Sequence, residues 1–165
     1  MDESAVQAFE SVVDSLDYPM FIATTVAAGQ RSGCLVGFAT QCSIHPARFL
    51  VCVSDKNRTH RVLESGAEAM IVHVVPEDAG HLVELFGGQT GDERDKFQHC
   101  DWHDGPRGLP LLDDCPSWFA GAIVERVPLG DHVGRVLEPF DGRADHRGRA
   151  FAFSRAKGVE PGHEA

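Results

Sequence analysis

The feature that most constrains the fold is a pair of alternating runs, SWFAGAIVERVPL and GDHVGRVLEPF, that meet at Gly130-Asp131. A two-residue turn of this kind needs a residue that tolerates positive φ, so a Gly-Asp pair between two alternating runs signals a hairpin of two long antiparallel strands. A second hairpin is expected where MFIATTV runs through Ala27-Ala28-Gly29-Gln30 into GCLVGFAT, because β-branched and aromatic residues flank a Gly-bearing turn. RFLVCVS, Arg48 to Ser54, and AMIVHVV are further runs of strand length bounded by polar residues or turn signals.

Helices are fewer. Val6, Phe9, Val12, Val13 and Leu16 recur at three- and four-residue intervals behind an acidic start, which predicts an amphipathic helix from Ser4 to Leu16. Asn57 or Thr59 is placed to cap a second helix running to Ser65 and closed by Gly66. Pro76-Glu77-Asp78 opens a third, carrying Leu82, Leu85 and Phe86 and stopping at Gly87-Gly88. The polar stretch from Gln89 to Arg107 reads as a functional loop or lid. From Asp141 onward the chain is rich in Arg, Gly, Asp and His, with one apolar patch at Ala150 to Phe153, so residues 141–165 are expected to form an edge strand and a loose tail. Strands outnumber helices and hairpins outnumber crossovers. The expected fold class is therefore mainly β with inserted helices, an antiparallel barrel and not a doubly wound sheet.

At 165 residues the chain is expected to be one domain, 1–165, with an ordinary core. Its net charge of -10 would repel nucleic acid and anionic headgroups. No apolar run approaches the ~20 residues needed to span a bilayer and the first residues are acidic, so no membrane partner and a cytoplasmic location are expected. The five cysteines, Cys34, Cys42, Cys52, Cys100 and Cys115, show no C-x-x-C pair, and reduced, buried thiols are expected.

Two segments carry candidate chemistry. Ser54-Asp55-Lys56-Asn57-Arg58-Thr59 follows a strand and opens a helix, a position that offers free backbone N–H groups and two cations to a phosphate monoester; a capped, solvated helix start would look the same. In GCLVGFATQCSIHP, two glycines weaken a strand unless a ligand or another backbone must approach closely, and Gln41, Cys42 and Ser43 end it with polar atoms. A flat heteroaromatic ring would fit there, and so would a strand bent by a bulge. The run His99-Cys100-Asp101-Trp102-His103 holds four possible metal ligands, but adjacent ligands rarely close one tetrahedral site, so no metal is assigned and Trp102 is expected to cover a pocket or pack at a subunit contact.

Taken in order, G-x-x-x-G-F-A-T-Q-C-S-I-H-P, FLVCVS, KNRTHRVL, MIVHVV, LVELFGG with GDERDKF, GLPLL and GDHVGRV resemble the flavin-reductase-like, FMN-binding split-barrel family from the first helix to about Pro139. The resemblance implies an antiparallel split β-barrel that forms a homodimer and binds FMN or FAD. It implies that Gly37, Phe38, Gln41, Cys42 and Ser43 face the isoalloxazine and ribityl chain, with Cys42 a small buried thiol. It further implies that Lys56, Asn57, Arg58 and Thr59 hold the phosphate, that Phe86 and Asp92 to Phe97 lie near the flavin and the dimer contact, and that His132 faces the nicotinamide. Family members often carry Thr, Asn and Ser where this chain has Leu35, Gly37 and Phe38, so backbone N–H groups would carry more of the recognition here.

No G-x-G-x-x-G follows a strand, so NADH or NADPH as co-substrate would stack on the flavin and not enter a Rossmann site. The expected function is NAD(P)H:flavin reductase, a flavin-dependent oxidoreductase supplying reduced flavin to a partner monooxygenase, with His132 as its catalytic candidate. Two alternatives stand beside it. One is a flavin-binding redox or accessory protein without nicotinamide activity; the other is a split-barrel relative using another planar cofactor, a deazaflavin or haem. Lys157 and His163 of the tail could reach a neighbouring subunit's pocket.

Overall fold

The computed structural model describes residues 2–88 and 95–159. Their order is α1 (Glu3–Asp14), β1 (Phe21–Ala27), β2 (Gln30–Val36), β3 (Ala39–Ser43), β4 (Arg48–Ser54), α2 (Arg58–Glu64), β5 (Ala69–Val74), α3 (Gly80–Gly87), β6 (Trp102–Asp104), β7 (Pro110–Leu112), β8 (Trp118–Pro128), β9 (His132–Arg143) and α4 (Phe153–Ala156). Seven strands form one sheet in the order β2-β1-β5-β8-β9-β4-β3, and β6 pairs with β7 apart from it.

Both expected hairpins form, each with the backbone its turn requires. Ala28 and Gly29 have φ of 50° and 73° between the facing residues Ala27 and Gln30. Gly130 has φ of 115°, and the N–H of Leu129 donates to the carbonyl of His132 at 3.0 Å. Every ladder in the large sheet is antiparallel.

GCLVGFAT is not one strand. It breaks at Gly37-Phe38, and its halves lie at opposite edges of the sheet. Two residues span at most ~7 Å, so the sheet must curl until its edges meet at this corner. Beyond the corner no ladder joins β2 to β3, and the barrel is split, not closed. The carbonyl of Phe38 accepts from the N–H of Cys52 at 2.9 Å, which ties the corner to β4.

The core has three parts. Inside the curl, Ala23, Cys34, Val36, Val51, Val53, Met70, Val72 and Leu137 pack with Leu63 of α2. Leu82, Val83, Leu85 and Phe86 of α3 pack with Met20, Ile22, Phe97 and Phe151 on the other side of the sheet. Ile71, Leu109, Leu111 and Ala120 form a third group under β7. β5 is covered on both faces, which is why AMIVHV reads as a continuous apolar run. Its His73 is fully buried and bonded at both ring nitrogens, to the carbonyl of Ile22 at 2.9 Å and to the N–H of Leu112 at 3.0 Å.

Several expectations need correction. The third helix begins at Gly80, because Ala79 with no side-chain cap precedes it and Pro76 is held in a bridge to Ala150. The stretch expected as a loop carries a 3₁₀ turn at Lys96–Gln98 and strand β6; residues 89–94, within it, lie outside the described residues, as does His163. The apolar patch at 150–153 makes isolated bridges and then enters α4, and Phe151 joins the core. β9 itself runs on to Arg143. The amphipathic first helix buries no residue of its own: Phe9 is 65% and Val12 61% exposed. Among the described residues no helix is long and apolar enough to cross a membrane.

Candidate functional site

A cavity of about 390 Å³ lies at the Gly37-Phe38 corner. Phe38, Leu35 and Val36 line it from the corner, Ser54 and Asn57 from the β4–α2 junction, His132 from the β8–β9 hairpin, and Tyr18 with Phe153 from the far wall. A larger groove of about 810 Å³ adjoins it, shares Tyr18, Gly37, Phe38 and Phe153, and runs out along α1.

Each wall has its own support. The aromatic wall is a stack of Tyr18 on Phe153, with centroids 4.6 Å apart and planes 10° from parallel. The Phe153 segment is held there from Asp17, whose carboxylate accepts from Ser154 N at 2.9 Å and Ser154 Oγ at 2.8 Å. Opposite, the Phe38 ring lies 5.0 Å from the imidazole of His132. Gly37 lets the corner pack closely on the aromatic wall: a Cβ there would stand 3.1 Å from the Tyr18 ring.

The hairpin tip and the β4–α2 junction are locked together. His132 faces Ser54 across the β4–β9 ladder, and the N–H of Asp55 donates to the Asp131 carbonyl at 2.9 Å. The His132 Nδ1 lies 2.8 Å from Asp131 Oδ1. An ionised carboxylate only accepts, so Nδ1 carries the proton in this contact. That hydrogen bond holds the Asp131 carboxyl below its ordinary range. Asp131 had no role assigned from sequence, although it stands beside His132 in the same turn.

At the other end, Asn57 caps α2: its carboxamide oxygen accepts from Thr59 N at 2.8 Å. Thr59 is fully buried and meets Ser32 Oγ at 2.9 Å, so its hydroxyl fastens α2 to β2 and does not reach the surface. Lys56 and Arg58 flank the cap, and Arg58 Nη1 donates to the Arg31 carbonyl at 2.9 Å.

The structure thus gathers Gly37, Phe38, Asn57 and His132 around one cavity; Lys56 and Arg58 adjoin Asn57 in the chain but are not among the residues that line it. Gln41, Cys42 and Ser43 line neither cavity; they lie on edge strand β3, where the register shifts between Gln41 and Ser43. Cys42, expected as a buried thiol, is exposed there, because nothing covers that edge among the described residues. Phe86 lies in the core beneath Gly33 at 2% exposure, which leaves it no surface to offer a ligand. The cavity's own cysteines, Cys34 and Cys52, are pushed up by burial, so both stay thiols at neutral pH. Tyr18 and Phe153 were missed from sequence; the aromatic content of both flanks was visible, but their meeting depends on the chain's two ends converging.

Trp102 packs over the third-helix side, where its Nε1 donates to the Phe97 carbonyl at 2.9 Å. Among the described residues no three side chains of His, Cys, Asp or Glu are grouped to hold a metal ion.

Residues 13–159 match the family model described as flavin reductase like domain. The ferric-chelate reductase (NAD(P)H) of Archaeoglobus fulgidus is 27% identical over 138 residues, which cover 82% of this chain and 79% of that protein. The 4-hydroxyphenylacetate 3-monooxygenase reductase component of Salmonella typhimurium is 26% identical, covering 81% and 78%. Among solved structures, the NADH:FAD oxidoreductase of Streptomyces globisporus C-1027, in complex with NAD and FAD fragments, superposes with a TM-score of 0.78 at 20% identity, covering 92% of this chain and 90% of that one. The split antiparallel barrel and the match over 13–159 agree: the chain belongs to the flavin reductase like domain family.

Proposed function

We propose that this protein is an NAD(P)H-dependent flavin reductase that binds FMN or FAD and supplies reduced flavin to a partner monooxygenase. The observation that carries the reading is the meeting of the Phe38 corner, His132 and the Tyr18–Phe153 stack around one cavity whose polar end is the capped start of α2.

The residues fit a flavin. A cavity of about 390 Å³ with an adjoining groove of about 810 Å³ is in the range of cofactor sites, and its walls are apolar and aromatic. Phe38, Tyr18 and Phe153 supply flat faces for a ring system. Backbone groups at the Gly37-Phe38 corner are the available polar contacts for the ring edge, and Lys56, Asn57 and Arg58 are placed to hold a phosphate. When bound, the flavin supplies a two-electron acceptor for hydride from a nicotinamide. His132, oriented by Asp131, lines the cavity and would steady the nicotinamide amide or the negative charge that develops beside it. No side chain need move a proton in the transfer itself; alignment and exclusion of water by the aromatic walls are what the protein contributes.

A homodimer accords with the exposed apolar residues of the first helix and its end, Phe9, Val12, Val13 and Leu16, which a second copy would cover. The reading places the enzyme in the cytoplasm as a single domain. The relatives named as monooxygenase reductase components support the partner class.

The test is oxidation of NADH and NADPH by the purified protein with and without added FMN or FAD. Turnover that requires flavin is expected. Flavin binding without turnover would leave a flavin carrier in place of an enzyme, and no binding of either flavin would remove both readings. Arg58→Ala should weaken FMN more than riboflavin, because only FMN carries the phosphate.

A further inference from the structure

The groove of about 810 Å³ has a wall that the adjoining aromatic cavity lacks. Gln7, Glu10, Ser11 and Asp14 line it, at the i, i+3, i+4 and i+7 positions of one stripe of α1, while Phe9 and Val12 are not among its lining residues. The helix therefore turns polar groups to the groove. The same groove shares Tyr18, Gly37, Phe38 and Phe153 with the cavity that His132 lines.

Its charge is one-sided. Among the described residues Glu10 and Asp14 line the groove and no lysine or arginine does. From Asp2 to Asp17 the chain carries Asp2, Glu3, Glu10, Asp14 and Asp17 and no lysine or arginine. Asp14 is answered from the far end of the chain: Lys157 Nζ donates to its carboxylate and to its backbone carbonyl, each at 3.0 Å, and lies 5.3 Å from the Phe153 ring centroid. That ammonium is committed to Asp14. Glu10 is exposed, and among the described residues it makes no hydrogen bond or ion pair. It is the free carboxylate of this wall.

We propose that Glu10 selects NADH over NADPH by accepting a hydrogen bond from the 2′-hydroxyl of the adenosine ribose in this groove. The inference rests on the reductase reading and deepens it. A dinucleotide whose nicotinamide lies in the aromatic cavity has its adenosine end still to place, and the groove is the space continuous with that cavity. NADH and NADPH differ there by one phosphate on the ribose 2′-oxygen. A free hydroxyl gives the carboxylate the donor it lacks. A 2′-phosphate instead brings about two negative charges beside Glu10, and the nearby cation Lys157 is already engaged by Asp14. Acidic side chains read the ribose of NAD in the same way in Rossmann sites; here the carboxylate comes from α1, which no βαβ unit supports. The adenosine of FAD also carries a free 2′-hydroxyl, so the test separates the two sources.

The test is steady-state turnover of the FMN-loaded full chain with NADH and with NADPH, for the wild type, Glu10→Gln and Glu10→Lys. α1 buries no residue, so neither change touches the core. The wild type should show a kcat/KM about tenfold or more higher with NADH. Glu10→Gln should narrow that ratio and Glu10→Lys should abolish or reverse it, with the change carried by KM. A second readout uses NAD⁺ and NADP⁺, which cannot reduce the flavin. NAD⁺ should raise the Tm of the loaded wild type more than NADP⁺ does at equal concentration, and Glu10→Lys should remove the difference. Equal use of the two nucleotides by the wild type, or a ratio unmoved in Glu10→Lys, would overturn the proposal. So would a shift in FAD but not FMN affinity with the nucleotide ratio unmoved, which gives the groove to the flavin's own adenosine. No turnover with either nucleotide fails the reductase reading instead, and the comparison of NAD⁺ with NADP⁺ then decides whether Glu10 reads the ribose.

Discussion

Acidification should expose the buried imidazole of His73 through stability. Its two ring nitrogens are engaged by the Ile22 carbonyl and the Leu112 N–H, which requires the neutral ring: Nδ1–H donates and Nε2 accepts. Burial lowers its pKa from 6.5 to about 4. The unfolded chain therefore takes up a proton at this residue before the folded chain does. Stability from His73 is fully present above the unfolded value, falls as pH drops from 6.5 and is gone below about 4, where the full loss is about 3 kcal/mol at about 1.4 kcal/mol per tenfold. At about pH 5 the linkage integral gives about 2 kcal/mol. The assay is urea unfolding between about pH 8 and about pH 5, for the wild type and for His73→Gln, whose amide can donate and accept without titrating. His60 is also lowered by burial, and the carboxyls held low, Glu64 among them, titrate at the acid end of the range; these act alike in both proteins and cancel in the difference. The wild type should lose about 2 kcal/mol more than the variant over that interval. Parallel stability curves would refute the buried, neutral, doubly bonded histidine.

Two further tests concern the barrel. Ala28 holds φ of 50° in the first hairpin turn, a conformation that Asn tolerates better, so Ala28→Asn should raise stability by about 0.5–1 kcal/mol in the same urea assay. Gly121 has no room for a side chain: an added Cβ would stand 2.7 Å from Leu137 Cβ, and Gly121→Val should cost about 1–3 kcal/mol by thermal or urea unfolding.

What was legible in the sequence was local. Gly130-Asp131 and Ala28-Gly29 mark their hairpins because turn chemistry is set by the residues in the turn, and Asn57 caps its helix within two residues. The break at Gly37-Phe38 was not legible as a break. GCLVGFAT has the pattern of one strand, and only the curl of seven strands assigns its halves to opposite edges. The site was half legible for the same reason. Asn57 and His132 lie at chain turns that sequence can mark, whereas the Phe38 corner is hidden in a strand-like run, and Tyr18 and Phe153 meet only when residues far apart in the chain stack. Thr59 and Phe86 carry side chains suited to ligand contact, and their burial depends on what packs over them. Lys96 sits in a polar run, GDERDKF, that gives no sign of an ammonium 5% exposed.

The central claim is that the aromatic cavity aligns a nicotinamide with a flavin. Its most direct test is anaerobic mixing of the flavin-loaded protein with NADH and, separately, NADPH, following the flavin absorbance. The account expects bleaching by at least one nucleotide well above the rate for free flavin, and slower bleaching in His132→Ala with flavin affinity retained. Bleaching no faster than that of free flavin with both nucleotides would contradict it.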